Sequence, residues 1–329
     1  MKRVVFVVEN YDACSWYRAY VPGAELRKLG YDVSLVPLRN WSLCDQADAI
    51  LFERTSKSVT LEDLLRYKEL GKRIVYDIDD NIWNLNPANP AFPYFAREST
   101  RRNIVESIRA ADVVTVTTPE LAKVVSKFNQ SVLVIPNCLP YEYWNIEPAG
   151  GDQLTVGWAG GNSHWKDLSV IAGVVEQILD EFPEVEVALA GMRAYPFADH
   201  PRIRRLKTVN MEEYPALLTN FDIGLAPLTD DSFNACKSDL KFLEYAALGL
   251  PVVASKVPAY EHSISHGENG FLARNPKDWL KHLRRLITDE ELRKSIGAAA
   301  RSFAESRFIS KNIGLWIEAL GLKPAKSGG

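Results

Sequence analysis

Cysteine is scarce in this chain: four thiols in 329 residues, Cys14, Cys44, Cys138 and Cys236, lie far apart and show none of the paired spacings that build zinc sites or disulfide frameworks. A reducing cytosol is the expected compartment, and no metal site is expected. Long apolar runs are missing as well. The first, residues 4–8, is too short for a signal peptide or a membrane span and is followed at once by Glu9. No later stretch approaches the roughly 20 apolar residues that a spanning helix needs. The expectation is a cytoplasmic protein with at most peripheral contact at the inner face of a membrane. Nor is there an excess of one charge: 39 Lys and Arg stand against 42 Asp and Glu, spread over both halves, which argues against nucleic acid as a partner. The Gly-x-Gly-x-x-Gly order of a dinucleotide site and the Gly-Lys-Ser/Thr ending of a nucleoside-triphosphate loop are both absent.

What is present is an ordinary globular composition, 47% apolar and 25% charged, over a length that suggests two domains. Short β-branched runs at 4–8, 33–36, 49–52, 73–76, 113–116 and 132–135 alternate with helical patterns at 24–29, 61–70, 97–110 and 119–128. Such alternation predicts a parallel, doubly wound α/β sheet. Residues 136–151, rich in Pro, Gly and Asn, form a linker, after which the pattern restarts with strands at 154–158, 185–190, 223–226 and 251–254 and helices at 168–182, 211–219 and 240–248. The expected α/β architecture is two Rossmann-like doubly wound domains, 1–150 and 151–308, facing across a cleft. Residues 309–329 supply a C-terminal helix, expected to pack back on the first domain, and a frayed tail. Ligands of open α/β sheets bind at the carboxyl ends of the strands, which is where this cleft lies.

Two segments suit a phosphate there. The helix after Lys237-Ser238-Asp239-Leu240-Lys241 starts with capping residues and stops at Gly249 and Pro251. Lys237 and Lys241 sit four apart at its positive end, where an anion relieves their repulsion. The loop Gly157-Trp158-Ala159-Gly160-Gly161-Asn162-Ser163-His164-Trp165-Lys166 leaves the first strand of the second sheet, and its glycines let backbone N–H groups approach a phosphate, with His164 and Lys166 as charge partners. In the first half, Asp77, Asp79 and Asp80 emerge from an apolar strand toward the cleft, Asp77 and Asp79 on one face. Asp-Ile-Asp also copies a divalent-cation signature, so a metal-dependent alternative stays open. The segment from Glu9 to Arg18 offers Tyr11, Trp16, Tyr17 and Arg18 to an acceptor; packing of Trp16 and Tyr17 as a hydrophobic staple is the alternative. The proline-broken stretch 81–96 is a second acceptor candidate.

Taken together, the glycine loop with His164, the stretch Phe221-Asp222-Ile223-Gly224-Leu225-Ala226-Pro227-Leu228, the segment from Lys237 to Ser255, Tyr76-Asp77-Ile78-Asp79-Asp80, Thr118-Pro119-Glu120-Leu121 and Ile135-Pro136-Asn137 resemble family-4 retaining glycosyltransferases of the GT-B, or double-Rossmann, fold. The resemblance runs to about Phe308. It implies transfer of a sugar from a nucleotide-diphospho-sugar to a hydroxyl of a carbohydrate or lipid-linked acceptor, with retention, without a metal or other cofactor. The implied donor site is Gly160, Gly161, Lys166, Ser238, Asp239, Leu240, Lys241 and Glu244, with the base near Met192-Arg193 and the backbone of Val209 and Asn210. Lys237, Asp79, Asp80 and His164 form the implied catalytic set. Glu244 matches the second glutamate of the family's Glu-x7-Glu, the ribose ligand; the first falls on Cys236, so sugar recognition is expected to differ from the family's pattern or shift to neighbours such as Asn234 or Asp239. Trp158 stands where the family carries a donor arginine, so phosphate binding is expected to fall to Lys166, Lys237, Lys241 and backbone amides. A nucleotide-sugar epimerase or sugar phosphorylase on the same fold, and a catalytically silent binding protein, remain alternatives.

Overall fold

The computed structural model describes residues 2–37, 42–146 and 153–323. The expected domain boundary at 150/151 and the tail after Lys323 lie outside the described residues. Among the described residues, twelve strands form two six-stranded sheets with parallel pairing throughout. The first is built from β1 (Arg3–Val8), β2 (Asp32–Pro37), β3 (Ala49–Glu53), β4 (Arg73–Ile78), β5 (Val113–Val116) and β6 (Val132–Val134), in the order β2-β1-β3-β4-β5-β6. The second contains β7 (Thr155–Ala159), β8 (Glu186–Ala190), β9 (Ile203–Leu206), β10 (Ile223–Ala226), β11 (Val252–Ser255) and β12 (Phe271–Ala273), in the order β12-β11-β10-β7-β8-β9. The central strands are apolar on both faces because helices cover both, as a parallel sheet requires. Each sheet reverses direction once, between β1 and β3 and between β7 and β10, and both reversal points open on the cleft.

The sequence misses two strands. β9 carries exposed Arg204 and Arg205 and lies at a sheet edge, so its apolar signal is weak, and β12 has only three residues. The helix expected over 168–182 is broken at Val170 and Ile171 into Trp165–Ser169 and Ala172–Glu181, and that expected over 211–219 shrinks to Tyr214–Leu218 behind Pro215. Tyr17 and Arg18 do not precede the first long helix but lie within it, in a π-helical turn, Trp16–Tyr20, leading into Val21–Lys28. Pro22 lacks the N–H that would bond one turn back, which accounts for the register change.

Beyond Arg307 the chain returns to the first domain. The helix Ile309–Ala319 packs on Val21–Lys28, with Trp316 against Phe6 at 6.5 Å between ring centroids and beneath the Arg18 guanidinium at 4.9 Å. The outgoing and returning crossings run side by side: Leu139 N donates to Arg307 O at 3.0 Å and Ile309 N to Leu139 O at 2.9 Å. Arg307 fastens both to the second domain, holding Asn137 O and the Asp239 carboxylate. Asn84 Nδ2 to Ser232 Oγ, Thr118 Oγ1 to Cys236 O and Asn137 Nδ2 to Ser238 Oγ also bridge the domains.

Candidate active site

The cleft encloses about 430 Å³ and has walls from both domains. Its second-domain wall begins where β7 ends. Gly160 N donates to Ala190 O at 3.0 Å, and Gly191 sits at φ +92°, a region that disfavours side chains. A Cβ on Gly191 would lie 2.3 Å from Gly160 O, so the two loops approach only because position 191 is glycine, while a Cβ on Gly160 would meet the Trp158 ring at 2.7 Å. Gly160 and Gly161 line the cleft beside Leu240, at the start of the helix Leu240–Ala247. Asp239 holds that helix's N-cap position but makes no capping bond, because its carboxylate is taken by Arg307 and by Ser263 Oγ at 2.5 Å. The first N–H groups of the helix therefore remain without a side-chain cap at the cleft.

Lys241 is drawn inward, donating to Ala159 O and lying 5.6 Å from the Trp158 ring centroid. Burial lowers its pKa, the Glu244 carboxylate opposes that, and the Lys237 charge adds to it. Lys237 Nζ is 3.5 Å from Asp80 Oδ1 across the cleft. Burial works against its charge too, but Asp80, Asp167 and Asp79 outweigh burial and its pKa is raised. Glu244 is buried and accepts from Tyr17 Oη at 2.9 Å and Tyr214 Oη at 3.2 Å. Burial raises its pKa against the opposing pull of Lys241 and the two hydroxyls. Two lysines, a glycine loop and an uncapped helix start around one void are groups of the kind that suit an anion, and a buried carboxylate beside them suits hydroxyl groups.

His164 lines the same void with Nδ1 2.8 Å from Asp167 Oδ2. Asp167 is held in turn by Thr229 N, Thr229 Oγ1 and Asn234 Nδ2. A carboxylate only accepts, so Nδ1 carries the imidazole proton and Nε2 is left as an acceptor. Burial lowers the His164 pKa, Asp167 opposes this, and Lys237 and Lys241 reinforce it.

The first-domain wall is formed by Ala13, Cys14, Tyr17, Asp79 and Asp80. Behind it stands Arg54, which no sequence motif singles out. Its φ is +42°, and its guanidinium lies 3.4 Å from Asp79, 3.5 Å from Asp12 and 4.0 Å from both Glu53 and Asp80. An available signal was the Glu-Arg pair at the carboxyl end of the apolar run 49–52, at the same level in the sheet as Asp77. Tyr214, Tyr260 and Lys207 also line the cleft and were not anticipated.

Several sequence expectations are redirected. Asp77 does not face the cleft with Asp79: it is fully buried, bonded to Arg18 at 2.7 Å and Thr115 Oγ1 at 2.6 Å, because β4 ends at Ile78 and strand alternation stops there. The Asp-x-Asp pair is thereby divided, and no group of three or more His, Cys, Asp or Glu suited to a metal occurs among the described residues. Arg18 touches the cleft edge, but its donors are spent on Asp77, Ile135 O and Asn137, so it is an internal tie rather than an acceptor contact. Trp16 is buried, and with exposed Tyr11 it joins an aromatic group with Tyr20 and Tyr143 instead of lining the cleft. Tyr17 does line it, but is turned to Glu244. Lys166 lies outside the main cleft, 3.7 Å from Asp231. Asp239 is withdrawn into the pair with Arg307. Val209 lines the cleft, and the Asn210 side-chain oxygen accepts from Glu213 N at 2.8 Å, which leaves the expectation for the Val209 and Asn210 backbone untouched. Cys236 packs with Phe233 into the first domain's core, its Sγ 3.5 Å from Asn81 Nδ2, so no thiol replaces a carboxylate in the cleft.

Residues 153–289 match the family described as Glycosyl transferases group 1. The D-inositol 3-phosphate glycosyltransferase of Corynebacterium jeikeium is 26% identical over 167 residues, which are 45% of this chain and 39% of that protein. The match thus spans less than half the length of that relative. Anabaena HepE, solved in complex with UDP and glucose, superposes with a TM-score of 0.70 at 15% identity over 97% of this chain and 98% of that one. Sucrose-phosphate synthase from Thermosynechococcus elongatus does so with a TM-score of 0.72 at 13% identity over 98% of both. The fold is GT-B. No helix among the described residues is long and apolar enough to cross a membrane.

Proposed function

We propose, with a second domain that matches the group 1 glycosyl transferases as the premise, that this protein transfers a sugar from a nucleotide-diphospho-sugar to a hydroxyl acceptor, with retention of configuration and without a metal or other cofactor. The observation that carries this reading is the convergence of Lys237, Lys241, the glycine loop and the start of the helix Leu240–Ala247 on one interdomain void. In this reading the diphosphate lies on those groups, the ribose exchanges hydrogen bonds with Glu244 in place of the tyrosine hydroxyls, and the base lies along Lys207 to Met211. The sugar then projects toward Asp79, Asp80 and His164. Departure of the diphosphate leaves positive charge on the sugar and negative charge on the phosphate. The lysines and amides stabilise the second, and the neighbouring carboxylates favour the first. The acceptor hydroxyl attacks from the side of the departing phosphate, which takes its proton.

Thermal unfolding with UDP, GDP, ADP and TDP, each with and without EDTA, tests the donor site. A ligand at about 100 times its Kd adds roughly 2.7 kcal/mol, a shift of a few degrees. One diphosphate raising Tm regardless of EDTA supports the reading; no shift with any of them removes it. Once a donor is known, Lys237→Ala should lower kcat/KM by about 10²-fold or more. Near-normal kcat/KM would take Lys237 out of the site. The anomeric configuration of the product, read by proton NMR, decides retention, and release of an isomerised nucleotide-sugar would point instead to an epimerase.

A further inference from the structure

A second, smaller pocket of about 150 Å³ adjoins the cleft, and Ser163, His164 and Lys237 line both voids. One wall comes from the first domain's stretch after β4, through Asn86, Ala88 and Asn89; the other comes from residues 162–167 and 229–234 of the second. Its chemistry differs from that of the cleft. Asn86, Asn89 and Asn162 each spend the side-chain carbonyl on a nearby backbone N–H, of Ala88, Ala91 and Arg193 respectively. Their amide nitrogens make no hydrogen bond among the described residues. Asp167 and Asp231 also line it, but their oxygens are already engaged, Asp167 by His164, Thr229 and Asn234 and Asp231 by Thr229, Phe233 N and Asn234 N. The one lysine peculiar to this pocket, Lys166, is half exposed and already 3.7 Å from Asp231. Trp165 lines the pocket with 51% of its surface exposed, unusual for so large a ring in a protein whose other described tryptophans are largely covered.

We propose that this pocket holds a pyranoside ring of the acceptor, a proposal that rests on the transferase reading above. Free amide donors suit the hydroxyl oxygens of an uncharged sugar, whereas the charges of Lys166 and Lys237 are offset by Asp231 and Asp80, which leaves little net attraction for a phosphate. The exposed indole offers an apolar face to the C–H side of the ring. The volume suits one ring and excludes a nucleotide. A sugar seated here brings a hydroxyl to the boundary formed by His164 and Lys237, where the donor's sugar would arrive. The acceptor is thereby assigned to residues on both domains, and its binding requires the two to be closed as they are here.

The test is saturation-transfer NMR with methyl α-glucopyranoside, methyl α-mannopyranoside and methyl α-galactopyranoside on protein preloaded with the nucleoside diphosphate that raises Tm. At least one glycoside should receive saturation from the wild type. Trp165→Ala should abolish that signal, and Asn89→Asp, which keeps the turn-forming oxygen but loses the N–H₂ donor, should weaken it by about tenfold in apparent affinity. Both variants should keep the wild-type Tm shift with the diphosphate, which shows that they fold and bind the donor. Equal glycoside signals in wild type and variants, displacement of the glycoside by the diphosphate, or no glycoside signal from protein that binds the diphosphate normally would each overturn the assignment. Loss of the diphosphate shift in the wild type itself is the separate failure of the transferase reading.

Discussion

Glu53 ends β3 with one carboxylate oxygen buried and without a hydrogen bond, and burial, with Asp79, Asp77 and Asp12 nearby, lifts its pKa to about 8 against the pull of Arg54. The folded protein therefore keeps a proton that the unfolded chain releases above its ordinary value of 4.5. Stability from this group is full below pH 4.5 and is lost as pH rises through 8. Glu53→Gln removes the titration at nearly constant shape. In urea melts its advantage over the parent should grow between pH 5 and pH 8 by about 3–4 kcal/mol. A constant difference would mean that Glu53 is ionised throughout. His282 acts in the opposite sense. Stacked on Phe271 with Nδ1 buried and unpartnered, it has a pKa lowered to about 4, by burial first and by the neighbouring His266 next. It favours folding above pH 6.5, and that contribution is lost as pH falls toward 4. His282→Leu should flatten the loss of stability between those limits, again in urea melts; an unchanged slope would assign it to other groups, His164 among them.

At the scale of elements, Lys237, Lys241, Gly160 and Glu244 were legible because each belongs to a local pattern: charges at a helix start, glycines after a strand, a carboxylate at a fixed distance in a motif. Arg54 and Asp239 were not. Their roles come from partners brought by folding, Asp12 and Asp79 for the one and Arg307, 68 positions away, for the other, and no local periodicity encodes them. Arg18 was misread for the same reason, since an arginine on an amphipathic turn looks exposed until Asp77 and Trp316 are seen to enclose it. The alternating strands and helices of both sheets were readable from hydrophobic runs, but an edge strand with two arginines was not. Gly191 shows how closely the elements of the site are fitted. An alanine there meets Gly160 O and an unfavourable φ together, so Gly191→Ala should cost about 1–3 kcal/mol and also abolish the Tm shift with nucleoside diphosphate. A variant that lost stability yet kept the shift would show that the glycine loop does not touch the ligand.

For the molecule as a whole, the last described helix is a component of the first domain although it follows the second in sequence. Trp316, 1% exposed between Phe6 and Arg18, is its main anchor. Trp316→Ala should destabilise by about 3–5 kcal/mol. Amide exchange should accelerate in β1 to β4 and remain unchanged in β7 to β12. Equal acceleration in both sheets would mean that the domains unfold as one unit. The same arrangement sets the order of events during synthesis. At about 5–20 residues per second, roughly 10–30 s separate the emergence of the first sheet from that of the helix that covers it. Throughout that interval the second domain, contiguous in the chain, can complete itself on the ribosome while the first, although made earlier, still presents the bare face around Phe6 to whatever chaperone is near.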